Sequence, residues 1–209
     1  MKRRDRHSGR AASVAILICG VMVLPASQGR LDVHAFSPGD VAGQAPANAD
    51  AKTMAEFTER VKAYAELHRK VEDTLDPLPD EATPEAIDRH QRAFADRLSK
   101  ARAGARRGDV FTPEMQRLAQ TLIARLFKDP RARRDLRASV MEDNPAGVKI
   151  AVNGRYPDAV PLSTMPPDIL KQLPPLPEEL EYRFVGDALI LLDPDAHIIV
   201  DYVRRALPR

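Results

Sequence analysis

The spacing of apolar residues divides the chain into a helical first part and a β-rich last part. From Ala51 onward, apolar and amphipathic side chains recur every three or four residues, which is the pattern of one face of an α-helix. This stripe consists of Met54, Phe57, Val61, Tyr64, His68, Val71 and Leu75. The stretch DPLPDEAT (Asp76 to Thr83) ends the predicted helix, because proline cannot continue one.

A second helix is predicted after Thr83, a helix-capping residue followed by Pro84 at the first helical position. The short connection predicts that the two helices pack as an antiparallel hairpin. Folding them about that connection places His68 opposite Gln91, with His90 beside it. The other predicted layers pair Val71 with Ile87, Tyr64 with Phe94, Val61 with Leu98 and Phe57 with Ala101.

Two more helices and a small sheet are predicted after this hairpin. Thr112-Pro113 and Asp129-Pro130 each open a helix, and the apolar face of the third helix is the natural cover for the sheet. After Pro145 the helical period gives way to alternation: VKIAVNGRY predicts a strand that enters an Asn-Gly turn, and MPPDILKQL allows little more than one helical turn. Three strands follow, over Leu180 to Val185, ALILL and HIIVDYV, and predict an antiparallel meander.

Segregated helices and strands favour an α+β fold class over α/β. The predicted organisation has four parts. Residues 1–29 form a signal peptide or membrane anchor, 30–50 a flexible linker, 51–144 a helical region, and 145–209 a proline-rich connector with the β-meander.

The N-terminus has the pattern of a secretory signal peptide, in which basic residues precede an apolar run (AASVAILICGVMVLPA, Ala11 to Ala26) and small residues follow it. We therefore expect export to the periplasm or secretion. The alternative is an inner-membrane anchor formed by residues 11–27, and membrane contact is expected only if this segment stays uncleaved. Cleavage would remove the single cysteine, Cys19, and change the net charge from +2 to −2, so the sequence gives no electrostatic reason to expect nucleic-acid binding.

The stretch DALILLDPDAHIIVDYV (Asp187 to Val203) concentrates acids and a histidine. His197, Asp193 and Asp195 form one candidate metal or acid–base site. The favoured interpretation is a hairpin turn, because proline presets φ and aspartate oxygens accept nearby backbone N–H groups.

A second candidate metal site lies between the first two predicted helices. His68, His90 and Glu72 would supply two imidazoles and a carboxylate for Zn²⁺ or Ni²⁺. The competing interpretation is that His68 fills the helix interface beside Gln91 while His90 points to solvent. No cofactor is predicted beyond this option of nickel or zinc.

Basic residues are concentrated between Lys100 and Arg137, where eleven stand against four acids. Arg131, Arg133, Arg134 and Arg137 are the candidate partner-binding residues, for an envelope protein or an anionic surface. The competing interpretation is a solvated helical face balanced by the acidic end of the chain. No nucleophile elbow, phosphate-binding loop or zinc-protease motif occurs, so an enzyme of unknown reaction is the third option.

The ending LPPLPEELEYRFVGDALILLDPDAHIIVDYVRRALP (Leu173 to Pro208), with YAELHRKVE and GDVFTPEMQRLAQTLI upstream, resembles a family of uncharacterised exported bacterial proteins. That resemblance implies export and this architecture, with no site residues. The part from Tyr182 to Val203 is also similar to the C-terminal hairpin of RcnB-type periplasmic proteins of nickel and cobalt homeostasis, although Phe184 stands where a tryptophan is expected. We expect a non-enzymatic exported interaction or structural protein, with periplasmic metal binding as the alternative.

Overall fold

The structure is a computed structural model that describes residues 39–142, 149–157, 161 and 165–208, with only the backbone described at 39–46 and 142. The predicted signal peptide or anchor lies outside the described residues. Helices come first and strands last, which confirms the α+β class: α1 (Gly39–Glu72), α2 (Pro84–Ala101), α3 (Pro113–Leu126), α4 (Pro130–Glu142), α5 (Pro167–Leu170), β1 (Glu181–Val185), β2 (Ala188–Asp193) and β3 (Ile198–Val203). In the described part of the chain, no helix is both long and apolar enough to cross a membrane.

The first helix begins earlier than the apolar stripe predicts. It starts at Gly39, so the predicted linker is wrong over residues 39–50, which are helical. The side chains from Ala47 to Ala49 are exposed, so these three residues add nothing to the apolar stripe. Ala42, Ala45, Ala47 and Ala49 in this extension are strong helix formers.

The helix starts follow the predicted capping residues. The hydroxyl of Thr83 accepts a hydrogen bond from the Ala86 amide at 3.3 Å, and Thr112 does the same for the Met115 amide at 3.3 Å. The predicted start of α4 is also confirmed, because Asp129 Oδ2 accepts from the Ala132 amide at 2.9 Å. These bonds satisfy backbone N–H groups that have no partner inside the helix.

The register of the α1–α2 hairpin differs from the predicted one. His68 meets the ring of Phe94, with 4.7 Å between ring centroids, which is about one turn along α2 from Gln91. Ile87, predicted to pack on Val71, is 41% exposed. The sheet sets this register, because Phe94 and Leu98 pack in one buried cluster with Ala196 and Ile198 of the β2–β3 hairpin.

The three strands form an antiparallel sheet in the order β1-β2-β3, as predicted. Val185 pairs with Ala188 around a two-residue turn, where Gly186 takes a φ of +58° that glycine adopts without strain. The second connection, Pro194 to His197, is a turn, and this confirms the favoured interpretation of the acidic stretch.

Both faces of the sheet are buried. The predicted cover, α3, packs on one face together with α1, and these helices share a core cluster with sheet residues such as Phe184, Leu189 and Leu191. The opposite face carries Val185, Ile190, Leu192, Ile199 and Tyr202, which pack against Ile150, Val152 and Tyr156.

The segment that covers the second face is not the predicted strand. Gly154 N–H bonds the Ala151 carbonyl at 3.0 Å, which makes a turn, and a single bridge joins Arg155 to Ile198. Backbone bonds at the β3 edge hold it: Asn153 N–H to Ile199 O at 2.8 Å, and Ile199 N–H to Gly154 O at 2.9 Å. A turn is therefore present, but Val152 and Asn153 form its centre instead of Asn153 and Gly154, and residues 149–152 form no strand.

Candidate functional site

A buried cluster joins the C-terminal half of α1 to the end of β2. Tyr64 and His68 are four residues apart on α1, so their side chains lie on the same helix face. Asp193, the last residue of β2, faces both of them. We call these three residues, with the neighbouring Glu72 and Asp195, the His68 cluster.

Asp193 is the centre of this cluster. Its side chain is fully buried, and Oδ2 accepts a hydrogen bond from the Tyr64 hydroxyl at 2.6 Å and lies 2.7 Å from His68 Nδ1. Oδ1 accepts from the Ala196 amide at 2.8 Å, which closes the turn that follows. A buried carboxylate is tolerated in a protein only with such partners, and here both oxygens have them.

The far side of the imidazole also faces carboxylates. His68 Nε2 lies 3.7 Å from Glu72 Oε2 and 3.8 Å from Asp195 Oδ2. The imidazole is 1% exposed, whereas the side chains of Glu72 and Asp195 are about half exposed. The guanidinium of Arg102 lies over the Tyr64 ring, 5.0 Å from its centroid, and its positive charge acts to lower the pKa of Tyr64.

The environment shifts several pKa values in this cluster. Burial alone would lower the pKa of the His68 imidazole, but the hydrogen bond to Asp193 and the charges of Asp193, Glu72 and Asp195 outweigh burial and raise it above its ordinary value. Burial, followed by the charge of Asp193, raises the pKa of Asp195. Burial and then Asp193 also raise the pKa of Tyr64 far above its ordinary range. Tyr64, His68 and Asp195 therefore keep their protons at pH values at which the same side chains in free solution would release them.

This cluster combines residues from two separate candidate metal sites. His68 and Glu72 come from the predicted helical site, and Asp193 and Asp195 come from the predicted hairpin site. His90 is half-buried on α2, and in the described part of the chain no hydrogen bond or ion pair connects it to the cluster. His197 adopts a φ of +56° in the turn and packs edge-on against Tyr156, with 5.6 Å between ring centroids.

Metal binding stays a prediction. Among residues 39–142, 149–157, 161 and 165–208, no group of three or more His, Cys, Asp and Glu side chains is arranged to hold a metal ion. The enzyme option predicts convergent acids in a deep pocket. Four surface clefts of about 240–340 Å³ are described, and none of these four is lined by His68, Asp193 or Asp195.

A second buried aspartate, Asp201, holds the loop between α2 and α3, and the sequence did not predict this role. Asp201 Oδ2 accepts from the backbone amides of Phe111 at 2.8 Å, Val110 at 2.9 Å and Gly108 at 3.1 Å. Gly108 has a φ of +98°, which favours glycine, so the loop between α2 and α3 can wrap around this carboxylate. Burial raises the pKa of Asp201, although its backbone hydrogen bonds act in the opposite direction. An acid inside an apolar strand was the only signal for this role.

The four predicted partner-binding arginines separate into two pairs. Arg133 donates to the backbone carbonyls of Phe127 at 2.8 Å and Lys128 at 2.9 Å, and Arg137 donates to that of Pro208 at 3.5 Å. Arg131 and Arg134 are exposed. Pro130, Arg133, Arg134 and Arg137 line one cleft of about 240 Å³. We call Arg131, Arg133, Arg134 and Arg137 the arginine surface.

Comparison with known proteins adds no assignment, since no family model, curated protein or solved structure matches the chain. The resemblance to exported bacterial proteins and the fainter one to RcnB-type proteins stay predictions.

Proposed function

We propose that this protein is an exported, non-enzymatic binding protein that attaches to an anionic partner through the arginine surface of α4. The observation that carries the proposal is the exposure of Arg131 and Arg134 beside a cleft lined by three arginines. Neither of these two side chains has an ion-pair partner among the described residues. Their charges are therefore available to an external anion.

The chemistry of arginine indicates the kind of group that would bind. Guanidinium is planar and presents several N–H donors in a fixed fork, which matches carboxylate and phosphate oxygens. Arg131 and Arg134 are three residues apart on one helix, where two like charges disfavour each other by about 0.2–0.5 kcal/mol. An anion placed between them would relieve that repulsion.

The cleft is partly organised before any partner arrives. The bonds from Arg133 to the Phe127 and Lys128 carbonyls fix one guanidinium against the loop between α3 and α4. A side chain that is already held loses less conformational freedom on binding, and this saves about 0.5–1.5 kcal/mol for each immobilised side chain. Arg131 and Arg134 would then supply the adaptable contacts.

Export is part of the proposal because of the N-terminal pattern. Basic residues, an apolar run and small residues occur there in the order of a secretory signal. The partner would accordingly belong to the cell envelope or the medium, as an acidic protein surface or an anionic surface of another kind.

The test compares two double charge reversals in the full-length exported protein. Arg131→Glu with Arg134→Glu alters the arginine surface, and Lys70→Glu with Arg89→Glu is the control, because it changes the net charge equally at two exposed positions elsewhere. The probe is a fluorescein-labelled polyglutamate peptide, followed by anisotropy at several salt concentrations.

We expect salt-sensitive binding by the wild type and the control, and about a tenfold or larger loss of affinity in the α4 variant, equivalent to ~1.4 kcal/mol or more. Equal affinities in the two variants would show that binding follows net charge alone and would overturn the proposal. Absence of binding by the wild type at low salt, both to this peptide and to vesicles containing phosphatidylglycerol, would overturn it as well.

A further inference from the structure

The imidazole of His68 lies between carboxylates of α1 and of the β2–β3 hairpin, so its protonation state changes the contacts between these two parts. Both ring nitrogens face carboxylate oxygens: Nδ1 lies 2.7 Å from Asp193 Oδ2, and Nε2 lies 3.7–3.8 Å from Glu72 Oε2 and Asp195 Oδ2. A neutral imidazole carries one N–H and one bare nitrogen, which can only accept hydrogen bonds. Whichever tautomer forms, a bare nitrogen then faces a carboxylate. Only the imidazolium presents a donor on both sides.

We propose that His68 is a proton-controlled latch, which holds the C-terminal turns of α1 to the β2–β3 turn and loosens that attachment as the pH rises. The two parts it joins are distant in sequence, since His68 lies on α1 and Asp193 and Asp195 flank the hairpin turn. The latch is independent of the arginine surface, so it stands or falls separately from the proposed function.

The charges around the imidazole explain why its proton matters. Carboxylates approach it from α1 (Glu72), from β2 (Asp193) and from the hairpin turn (Asp195), and the Tyr64 hydroxyl and the Phe94 ring complete its surroundings. Glu178 and Glu179 add negative charge near Asp195. The nearby cations have other contacts, because Arg69 pairs with Glu179 and Arg102 lies over the Tyr64 ring. Loss of the imidazolium proton therefore leaves several carboxylates facing one another with little compensation.

The direction of the effect follows from the raised pKa of His68. A group with a higher pKa in the folded state contributes stability that is complete below its unfolded pKa, near 6.5, and that is lost as the pH rises through the folded value. The raised pKa of Asp195 acts in the same direction but at lower pH, starting from its ordinary value of 3.8. The latch is therefore closed in mildly acidic conditions and open in alkaline ones.

The experiment measures hydrogen exchange in the full-length exported protein between pH 6 and pH 9, with rates corrected for the intrinsic dependence on pH. The variants are His68→Gln, which removes the titration, and His90→Gln, which removes a histidine outside the cluster. In wild type and in His90→Gln, protection of residues 69–75 and 195–197 should fall with pH. The fall should be about tenfold for each unit by which the folded pKa of His68 exceeds the unfolded one. Protection of β1 and β2 should change less.

The His68→Gln variant should lose this pH dependence. If it retains the same dependence as wild type, or if protection falls equally throughout the sheet, the latch does not exist. A second pair of variants decides the matter should His68→Gln fail to fold. Glu72→Gln and Asp195→Asn change half-exposed side chains, and each should lower the NMR-measured pKa of His68. An unchanged pKa of His68 in both variants would overturn the proposal.

Discussion

The Nδ1 atom of His68 lies 2.7 Å from Oδ2 of Asp193, and the two side chains are 1% and 0% exposed. This contact connects the end of β2 to α1, although the two residues are more than a hundred positions apart in the sequence. Asp193 thereby serves both the turn that follows it, through the Ala196 amide, and the packing of α1 on the sheet.

Replacement of Asp193 should be strongly destabilising. Asp193→Ala leaves the Tyr64 hydroxyl and His68 Nδ1 without their buried acceptor, so the free energy of unfolding should fall by about 3–5 kcal/mol, as is typical when one partner of a buried charged pair is removed. Urea unfolding monitored by circular dichroism measures this. Asp195→Asn, at a half-exposed position two residues away, is the control and should cost much less. Similar losses in both variants would contradict the assigned role of Asp193.

Asp201 should be specifically required for order in the loop between α2 and α3. Asp201→Ala removes the acceptor for the Gly108, Val110 and Phe111 amides, and each buried donor left without a partner costs about 1–3 kcal/mol. Hydrogen exchange at these three amides should accelerate more than exchange in α2. Asp80→Ala, at an exposed position, should leave them unchanged. Unaltered protection in Asp201→Ala would show that the loop is held by other contacts.

The observed register of the first two helices can be tested by two truncations on α2. Phe94 is 1% exposed and contacts His68, so Phe94→Ala should cost about 3–5 kcal/mol of unfolding free energy. Ile87 is 41% exposed, and Ile87→Ala should stay within about 0.5 kcal/mol of wild type. Thermal and urea denaturation give both values. A large loss at Ile87 would instead support the register in which it packs on Val71.

Two of the four tyrosines should resist ionisation in the native protein. Burial raises the pKa of Tyr182, and burial together with the charge of Asp193 raises the pKa of Tyr64, in both cases far above the ordinary range. The phenolate absorbance of these two residues should appear only when alkali unfolds the chain. Tyr64→Phe and Tyr182→Phe should therefore leave the native part of the titration curve unchanged. Loss of a phenolate signal from that part in either variant would contradict the burial of its side chain.

Local sequence signals predicted those elements correctly whose interacting groups all lie within one short segment. Thr83, Thr112 and Asp129 each cap the helix that follows, and the Asp-Pro-Asp-Ala stretch forms the hairpin turn. Alternation placed β1 correctly, with Tyr182 and Phe184 buried. In each case the partner groups lie within a few residues, so spacing alone identifies them.

The errors arose where distant segments decide the outcome. The sheet shifts α2 relative to α1, because Ala196 and Ile198 pack against Phe94, and no pattern within the two helices contains that information. The sequence before Ala51 contains no apolar stripe, so periodicity does not detect the helix there. The roles of Asp193 and Asp201 depend on partners about ninety or more residues away. Sequence reasoning named both halves of the His68 cluster, but it assigned them to separate sites.

The central functional claim is that α4 receives an anionic group, and NMR mapping tests it most directly. The ¹⁵N-labelled exported protein would be titrated with the polyglutamate peptide at low salt, and amide shifts would be followed residue by residue. We predict shift changes concentrated at residues 131–137, with saturation at increasing peptide and reversal by added salt. Shift changes centred on another basic region, or none at residues 131–137 once binding is complete, would contradict the proposed function.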